Sequence, residues 1–506
     1  MERRTDSAQI ETLLSWCSAH NLQIDQRLQV VPDNTGLAVY SGAAFVNPSQ
    51  TLIKIPKSAV LSVKSCSASQ FIETSPYGLD AQLALSLALL IELERGRTSI
   101  WYGYLQSLPD GTVDLPLFWG IENDSGTGSS NDSDSPEALK WLEGTEIERL
   151  LFDAEGIPIS DRIRRYFAEV VVPTMARLPP EVVPESSQPT LQQFFRAYSL
   201  VSSRAFLVDA YHGLSMVAIA DAFNHSYDNH VHLETEYEVC PDCGSLQQCP
   251  HDQDPTDFSS PSKAAETEDD YEMVSNANIS PHSEVFNTYG ETLTNAQLIA
   301  QYGFSLDVNE NDRITWQFDD LVKFLDGLPI PRRSSGNPVV PAPNAPFGLP
   351  WKILADSFDQ NVFIDLDLID PLHNVDVFCV TCEGKVSWQL WLLISSYFSA
   401  RLIPADEMLS FLARLGEYHT LWENGNEDTA ADGDLDTMIL VVKAIAFAVV
   451  SLCQERKTRV GRGTTRRQLG DLVDHSQPRA KLVLLQVITE LSILESSEAL
   501  WSETDF

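Results

Sequence analysis

The chain moves between two hydrophobic rhythms. Near its start, Leu13, Leu14 and Cys17 share one face of a helix predicted over about residues 10–19. Short runs of strand character follow at 28–31, 37–40 and 52–56, with a turn at 33–36, and they predict a small antiparallel β unit. From 79 to 95 the helical spacing is apolar on nearly every side: Leu83, Leu85, Leu87, Leu89, Leu90 and Leu93 leave little polar surface. Such a helix belongs at the centre of its domain. Further helices are predicted over 136–152, 161–175 and 191–203, and strand character returns at 214–219. Past residue 350 the helical rhythm dominates, over 386–402, 405–422, 435–454 and 479–496. No fixed-period repeat is present.

Polar stretches punctuate these runs. Residues 122–136, rich in Ser, Asp, Asn and Gly, read as a flexible acidic loop. Residues 252–281 are acidic and contain Ser and Pro, so a disordered loop is expected there. Seven prolines between 329 and 350 have the composition of a linker. A chain of 506 residues is long for one core. The expected fold class is α+β: a β-rich domain over 1–310 with a helical insertion at about 76–195, a linker over 311–350, and an all-α C-terminal domain over 351–506.

Charge narrows the partners. The chain holds 72 acidic against 34 basic residues, a net charge of −38. Phosphate binding needs a basic surface, so no direct nucleic-acid partner is expected. A basic protein partner suits the charge. The opening residues, Met-Glu-Arg-Arg-Thr-Asp, carry no apolar signal core. The longest apolar stretch, 438–453, is interrupted by Lys443 and is shorter than the roughly 20 residues of a bilayer span. It reads as a buried helix, and no membrane partner is expected. Eight cysteines are sparse for this length and point to a reducing cytoplasmic or nuclear setting.

Several short motifs lie far apart in a fixed order. Arg95-Gly96-Arg97-Thr98-Ser99-Ile100-Trp101-Tyr102-Gly103-Tyr104-Leu105 runs to Leu108-Pro109, and Gly144-Thr145 follows. Ser203-Arg204-Ala205-Phe206 precedes Ala218-Ile219-Ala220-Asp221-Ala222-Phe223-Asn224-His225-Ser226. After the polar insertion come Tyr289-Gly290, Asn295-Ala296-Gln297-Leu298 and Tyr302-Gly303-Phe304. Together, over about residues 10–310, these resemble the SET-domain lysine methyltransferases of the plant Rubisco large-subunit and fungal ribosomal-protein type. There are two departures. Ala218 stands where the family has proline, and Asn34-Thr35-Gly36-Leu37 stands where it has a Gly-Arg-Gly-Leu turn.

The resemblance implies a SET domain followed by a helical domain like the family's substrate-binding domain. It implies S-adenosylmethionine as cofactor, contacted by backbone groups of Thr35, Gly36 and Leu37 and of Asn224 and His225. Arg204 would pair with the cofactor carboxylate, as a guanidinium fork suits a carboxylate. Tyr302 would set its hydroxyl beside the transferred methyl. A lysine must also shed a proton from a group of pKa about 10.4, and a desolvated aromatic channel favours that. Phe206, Tyr227 and Tyr289 are candidates to line it. The expected activity is protein-lysine N-methylation of a basic protein, with a ribosomal protein first, then a translation factor or nuclear protein. A monomer is expected. Histidine methylation by the same fold and a non-catalytic adaptor are the alternatives. Tyr302 favours lysine, because the histidine-modifying relatives tend to lack it.

Two further clusters stand out. Cys240, Cys243, Cys249 and His251 are spaced C-x2-C-x5-C-x-H, four soft ligands suited to a closed tetrahedral, structural zinc. A loop with chance cysteines is the alternative. Cys379 and Cys382 have no matching pair and read as buried thiols. The run Arg456 to Arg467 is the one basic cluster, either a nuclear signal or partner contact, or a solvated interhelical loop.

Overall fold

The computed structural model describes residues 7–33, 36–121, 134–184, 187–235, 238–246, 249–252, 270–329, 351–358, 368–370, 378–423 and 435–502. Along the chain, α1 (Ser7–Ala19) leads into β1 (Gln23–Ile24), β2 (Leu28–Asp33), β3 (Gly36–Ser41), β4 (Thr51–Pro56) and β5 (Leu61–Ser62). A helical stretch follows: α2 (Gly78–Arg95), α3 (Tyr102–Leu105), α4 (Ser135–Leu142), α5 (Glu146–Leu150), α6 (Ile159–Tyr166), α7 (Val172–Met175) and α8 (Leu191–Arg204). Then come β6 (Ala205–Leu207), β7 (Leu214–Met216), β8 (Val231–Glu234), β9 (Asp270–Ser275), α9 (Asn295–Tyr302), β10 (Arg313–Trp316), α10 (Phe318–Asp326) and α11 (Trp351–Ser357). The chain continues through β11 (Ile369–Asp370), β12 (Phe378–Thr381), β13 (Val386–Ser387), α12 (Trp388–Ser399), α13 (Met408–Glu423), α14 (Leu435–Arg459), α15 (Arg466–Val473) and α16 (Pro478–Ser502).

Two compact units result, one drawn from Met1–Phe118, Phe152–Thr292 and Gln301–Gly303, the other from Trp119–Leu151, Leu293–Ala300 and Phe304–Phe506. The boundary is therefore not the single cut at 310 that the linear reading suggests. Residues from the middle of the helical insertion belong with the C-terminal half.

The first unit holds three small sheets, ordered β1-β4-β9-β8, β2-β3 and β5-β7-β6. All their pairings are antiparallel. Strand β9 corrects the expectation of disorder over 252–281. Its Tyr271 and Met273 are fully buried at the two-residue spacing of a strand, and Ile279 beyond it exchanges backbone hydrogen bonds with Val46 at 3.0 and 3.2 Å. Acidic neighbours mask this alternation in the sequence. Residues 253–269 lie outside the described set.

Helix α2 is buried from Ala81 to Glu92 apart from Gln82, as its composition predicts. Glu92 is tolerated there because it accepts from the Ser67 amide and the Ser99 hydroxyl, both at 2.7 Å. Gly103 has an equally concrete reason. A Cβ at that position would lie 2.3 Å from the Cβ of Trp16 on α1, whose indole donates to the Ile100 carbonyl at 2.6 Å.

The second unit has a mixed four-stranded sheet, β10-β12-β13-β11, with β11 parallel to β13. The helices from Trp388 to Ser502 supply most of its core, with Trp391, Phe398, Phe411, Val441, Ile445, Val449 and Leu494 buried. Helix α14 is apolar enough to cross a membrane by length and composition. Its Val441, Val442, Ile445, Ala448, Val449 and Leu452 are instead packed in this core, as the interrupted apolar run suggests.

The proposed linker, 311–350, needs correction at its start. Residues 313–316 form β10, in register with β12, and 318–326 form α10 with Leu321 and Leu325 buried one turn apart. Residues 330–350 are outside the described set. Much of the basic run forms ion pairs within the second unit, and Arg467 is exposed. Arg456 is buried and donates to Glu146 at 2.9 Å, while Lys457, Arg459, Arg462 and Arg466 pair with Glu498, Glu455, Glu143 and Glu495. Of the two cysteines read as buried thiols, Cys379 is fully buried, and Cys382 is half-exposed with its thiol 3.0 Å from the Glu310 carbonyl.

Glu146 and Glu490 share the Arg456 site. The Glu146 amide donates to Glu490 at 2.9 Å, and Thr315 donates to Glu146 through both its amide and its hydroxyl. Burial, and then the Glu146 charge, push the Glu490 carboxyl up to about 8 from an ordinary 4.5. A carboxyl raised in the folded state contributes stability that is complete below its unfolded pKa and lost as pH rises through about 8. Glu490→Gln is therefore expected to remove part of the alkaline loss. Melting curves between mildly acidic and alkaline pH should fall less steeply in the variant, by roughly 2–4 °C.

Candidate active site

Everything in the site comes from the first unit. Arg204 ends α8, whose start is fixed by a Thr190–Gln193 capping box. Its Nη1 donates to the Asp221 carbonyl at 3.1 Å and lies 3.7 Å from the Asp221 carboxylate. The same carboxylate accepts from the Tyr104 hydroxyl at 2.8 Å. Burial pushes both groups up, the Asp221 carboxyl and the Tyr104 phenol, while Arg204 pulls each back. The other guanidinium edge lies against Gly36, the first residue of β3. A Cβ there would sit 3.0 Å from Arg204 Nη2, and the φ of +142° is one that side-chain-bearing residues rarely adopt. Leu37, next on β3, is buried. Thr35 lies outside the described residues.

Residues 219–225 form the second wall. Ile219 has φ +69° and ψ −39°, a conformation strained for a β-branched side chain, and it sits fully buried just before Asp221. Asn224 is held through its side chain, whose amide donates to Glu284 at 2.7 Å. His225 is buried, and its Nδ1 accepts from the Tyr289 amide at 3.1 Å. Accepting there requires a neutral ring with its proton on Nε2, and burial lowers the imidazole pKa in the same sense.

The stretch 284–289 is laced between these parts. On one side the Val285 amide donates to the Val39 carbonyl of β3 at 2.8 Å. On the other, the Asn287 amide donates to the Asn224 carbonyl at 2.9 Å and the Ser226 amide to the Asn287 carbonyl at 3.0 Å. This brings Tyr289 to the site, where its hydroxyl donates to the Phe223 carbonyl at 3.2 Å. Tyr302, the last residue of α9, stacks on Tyr289 with ring centroids 4.6 Å apart. Gly303 then ends the helix at φ +81°, where a Cβ would collide with the Asp114 carbonyl at 2.8 Å. Burial pushes the Tyr302 phenol up to about 12, so it carries its proton at neutral pH.

Three distant motifs thus meet: Gly36 with Arg204, Asn224 with His225, and Tyr289 with Tyr302. Of the other residues proposed to line a lysine channel, Tyr227 lies 5.8 Å from the His225 ring. Phe206 is half-buried on β6 opposite Ser215, and no described ring contact joins it to Tyr289 or Tyr302. Cys240, Cys243, Cys249 and His251 are also brought together, with all four potential ligand atoms within 4.8 Å of one another.

Among solved structures, the SET domain of LSMT bound to lysine and AdoHcy superposes with a TM-score of 0.59 at 15% identity, covering 99% of this chain and 92% of that one. The chain has the SET-domain fold. Rubisco LSMT bound to AdoMet superposes with a TM-score of 0.56 at the same identity. In sequence, this SET-domain chain is 26% identical over 346 residues to ribosomal lysine N-methyltransferase 3 of Saccharomyces cerevisiae, covering 57% of this chain and 60% of that protein. It is 27% identical over 322 residues to the N-lysine methyltransferase SETD6 of Bos taurus, covering 61% and 60%. The chain thus matches about three-fifths of the length of these relatives. No protein-family model matches it. The resemblance read from the motifs is upheld by these relatives and by the fold.

Four residues of the candidate site, Tyr104, Ile219, Asp221 and Glu284, are not marked as participants by the sequence. Tyr104 and Asp221 lie inside motifs, but nothing in the sequence says that they bond across 117 residues. Glu284 has no sequence signal. The strained backbone of Ile219 runs against its residue type.

Proposed function

We propose that this chain transfers a methyl group from S-adenosylmethionine to the side-chain amine of a lysine in a protein. The observation that carries this reading is the stacking of Tyr302 on Tyr289, which is itself bonded to His225 and Phe223. The residues present fit the cofactor. Gly36 leaves the space a Cβ would fill beside a guanidinium, and Glu284 fixes the side-chain amide of Asn224, which holds that segment in place.

S-adenosylmethionine supplies an activated methyl on a sulfonium, so the protein has to provide position more than bond-making groups. Gly36, Leu37, Asn224 and His225 would hold it, with the Nη2 edge of Arg204 facing its carboxylate. Asp221 fixes the opposite edge of Arg204, which keeps the fork from turning away. Tyr302 keeps its proton at neutral pH, so its hydroxyl orients and polarises and does not act as a base. The aromatic faces of Tyr289 and Tyr302 exclude water from the incoming amine, which favours its neutral, nucleophilic form.

For the substrate we infer a basic protein, a ribosomal protein first. The net charge of −38 supports it, as does the name of the yeast relative. Calorimetric titration tests the first step. One S-adenosylmethionine should bind per chain, with S-adenosylhomocysteine competing for the same site. A chain that binds neither is an adaptor with a SET fold.

A further inference from the structure

The connection after β8 gathers four potential metal ligands, none of them among the residues of the candidate active site. His251 Nδ1 lies 3.7 Å from Cys240 Sγ and 3.6 Å from Cys249 Sγ. Tetrahedral zinc, with Zn–S about 2.3 Å and Zn–N about 2.0 Å, separates an S–N pair of ligands by roughly 3.5 Å and an S–S pair by roughly 3.8 Å. The two S–N separations lie within about 0.2 Å of this, and the whole set, within 4.8 Å, closes with shifts of about one ångström.

The backbone is shaped for the same purpose. The Gly244 amide donates to the Cys240 carbonyl at 2.8 Å, and the Cys240 amide to the Ser245 carbonyl at 2.9 Å. This closes a tight turn that aims the first two thiols at one point, with Gly244 at φ +74°. The turn rests on the hairpin between β6 and β7. A Cβ on Gly244 would press on the Tyr211 ring at 3.1 Å. Lys64 lies 4.3 Å from the centroid of the same ring and donates to the Pro241 carbonyl. Tyr211 in turn is fixed by its amide, which donates to Asp209 at 3.0 Å.

We propose that Cys240, Cys243, Cys249 and His251 bind one structural Zn2+ that fastens the β8–β9 connection to the Tyr211 hairpin. Four protein ligands close the coordination sphere and leave no position for water or substrate, so the ion shapes the fold and takes no part in methyl transfer. Loading releases the thiol protons, three thiolates and a neutral imidazole being the ligating forms. An odd number of cysteines cannot all pair with one another as disulfides, whereas one metal ion engages all four groups at once.

The test is the metal content of the whole chain, purified without chelator and exchanged into metal-free buffer. The expected result is about one zinc per chain, released in equal amount when a mercurial blocks the thiols. Cys243→Ser and Cys249→Ser should each lower the zinc content at least about fivefold, and Cys66→Ser should leave it unchanged. Because a ligand variant can misfold, Co2+ alone is also titrated into the chelated wild-type chain. Intense thiolate-to-cobalt and tetrahedral d–d absorption is expected. Zinc below about 0.1 per chain together with a weak octahedral cobalt spectrum overturns the proposal, as does a Cys240–Cys249 disulfide in the native chain.

Discussion

Tyr302→Phe is expected to lower methyl transfer about 100-fold or more while leaving S-adenosylmethionine affinity within roughly threefold. The substitution removes one oxygen and keeps the ring. The stack on Tyr289, centroids 4.6 Å apart, therefore survives, and so does the end of α9 at Gly303. What disappears is a neutral hydroxyl with its proton held by a raised pKa of about 12. If that hydroxyl orients the amine and polarises the methyl, its loss acts in the transition state and lowers kcat. Single-turnover transfer measured beside calorimetric binding separates the two effects. Full activity in the variant would remove Tyr302 from the chemistry.

Gly36→Val has the second large effect, on binding. The backbone there has a φ of +142°, and a new Cβ would lie 3.0 Å from Arg204 Nη2. Either β3 or the guanidinium must move. Moving the guanidinium strains its bond to the Asp221 carbonyl and draws the cation away from a buried carboxylate. The expected loss of S-adenosylmethionine affinity is at least about 100-fold, or about 2.7 kcal/mol. Gly36→Ala should lose less, because the branched atoms are absent. An unchanged dissociation constant for the valine variant, with an unchanged melting temperature, would mean that the cofactor lies elsewhere.

The parts of this fold that were legible in the sequence are those with a local cause. The Leu-rich spacing of α2 and the strand runs of β2, β3 and β4 each reflect one face meeting one core. The order of the Arg204, Asn224–His225 and Tyr302 motifs was legible through resemblance, and the structure gathers all three. Strand β9 was not legible, since its two inward residues, Tyr271 and Met273, stand among acids. Nor was β10, which comes before a proline-rich stretch and takes its register from β12, more than sixty residues later. Long-range polar bonds have no periodicity to read. Asn224–Glu284 and Tyr104–Asp221 are of this kind, separated by 60 and 117 residues. The Cys/His cluster differs, because its ligands are close in sequence and their spacing alone suggests the geometry that is found.

Lysine methylation by this site is open to a direct assay on its candidate substrates. The chain is incubated with a ribosome-containing extract and S-adenosylmethionine bearing a deuterated methyl, and the extract is digested and sequenced by mass spectrometry. Labelled methyl groups are expected on lysine side chains of one or a few basic proteins, absent when Tyr302→Phe replaces the wild type. Label on histidine, or no label from a chain that binds the cofactor and is supplied with every ribosomal protein, would contradict it.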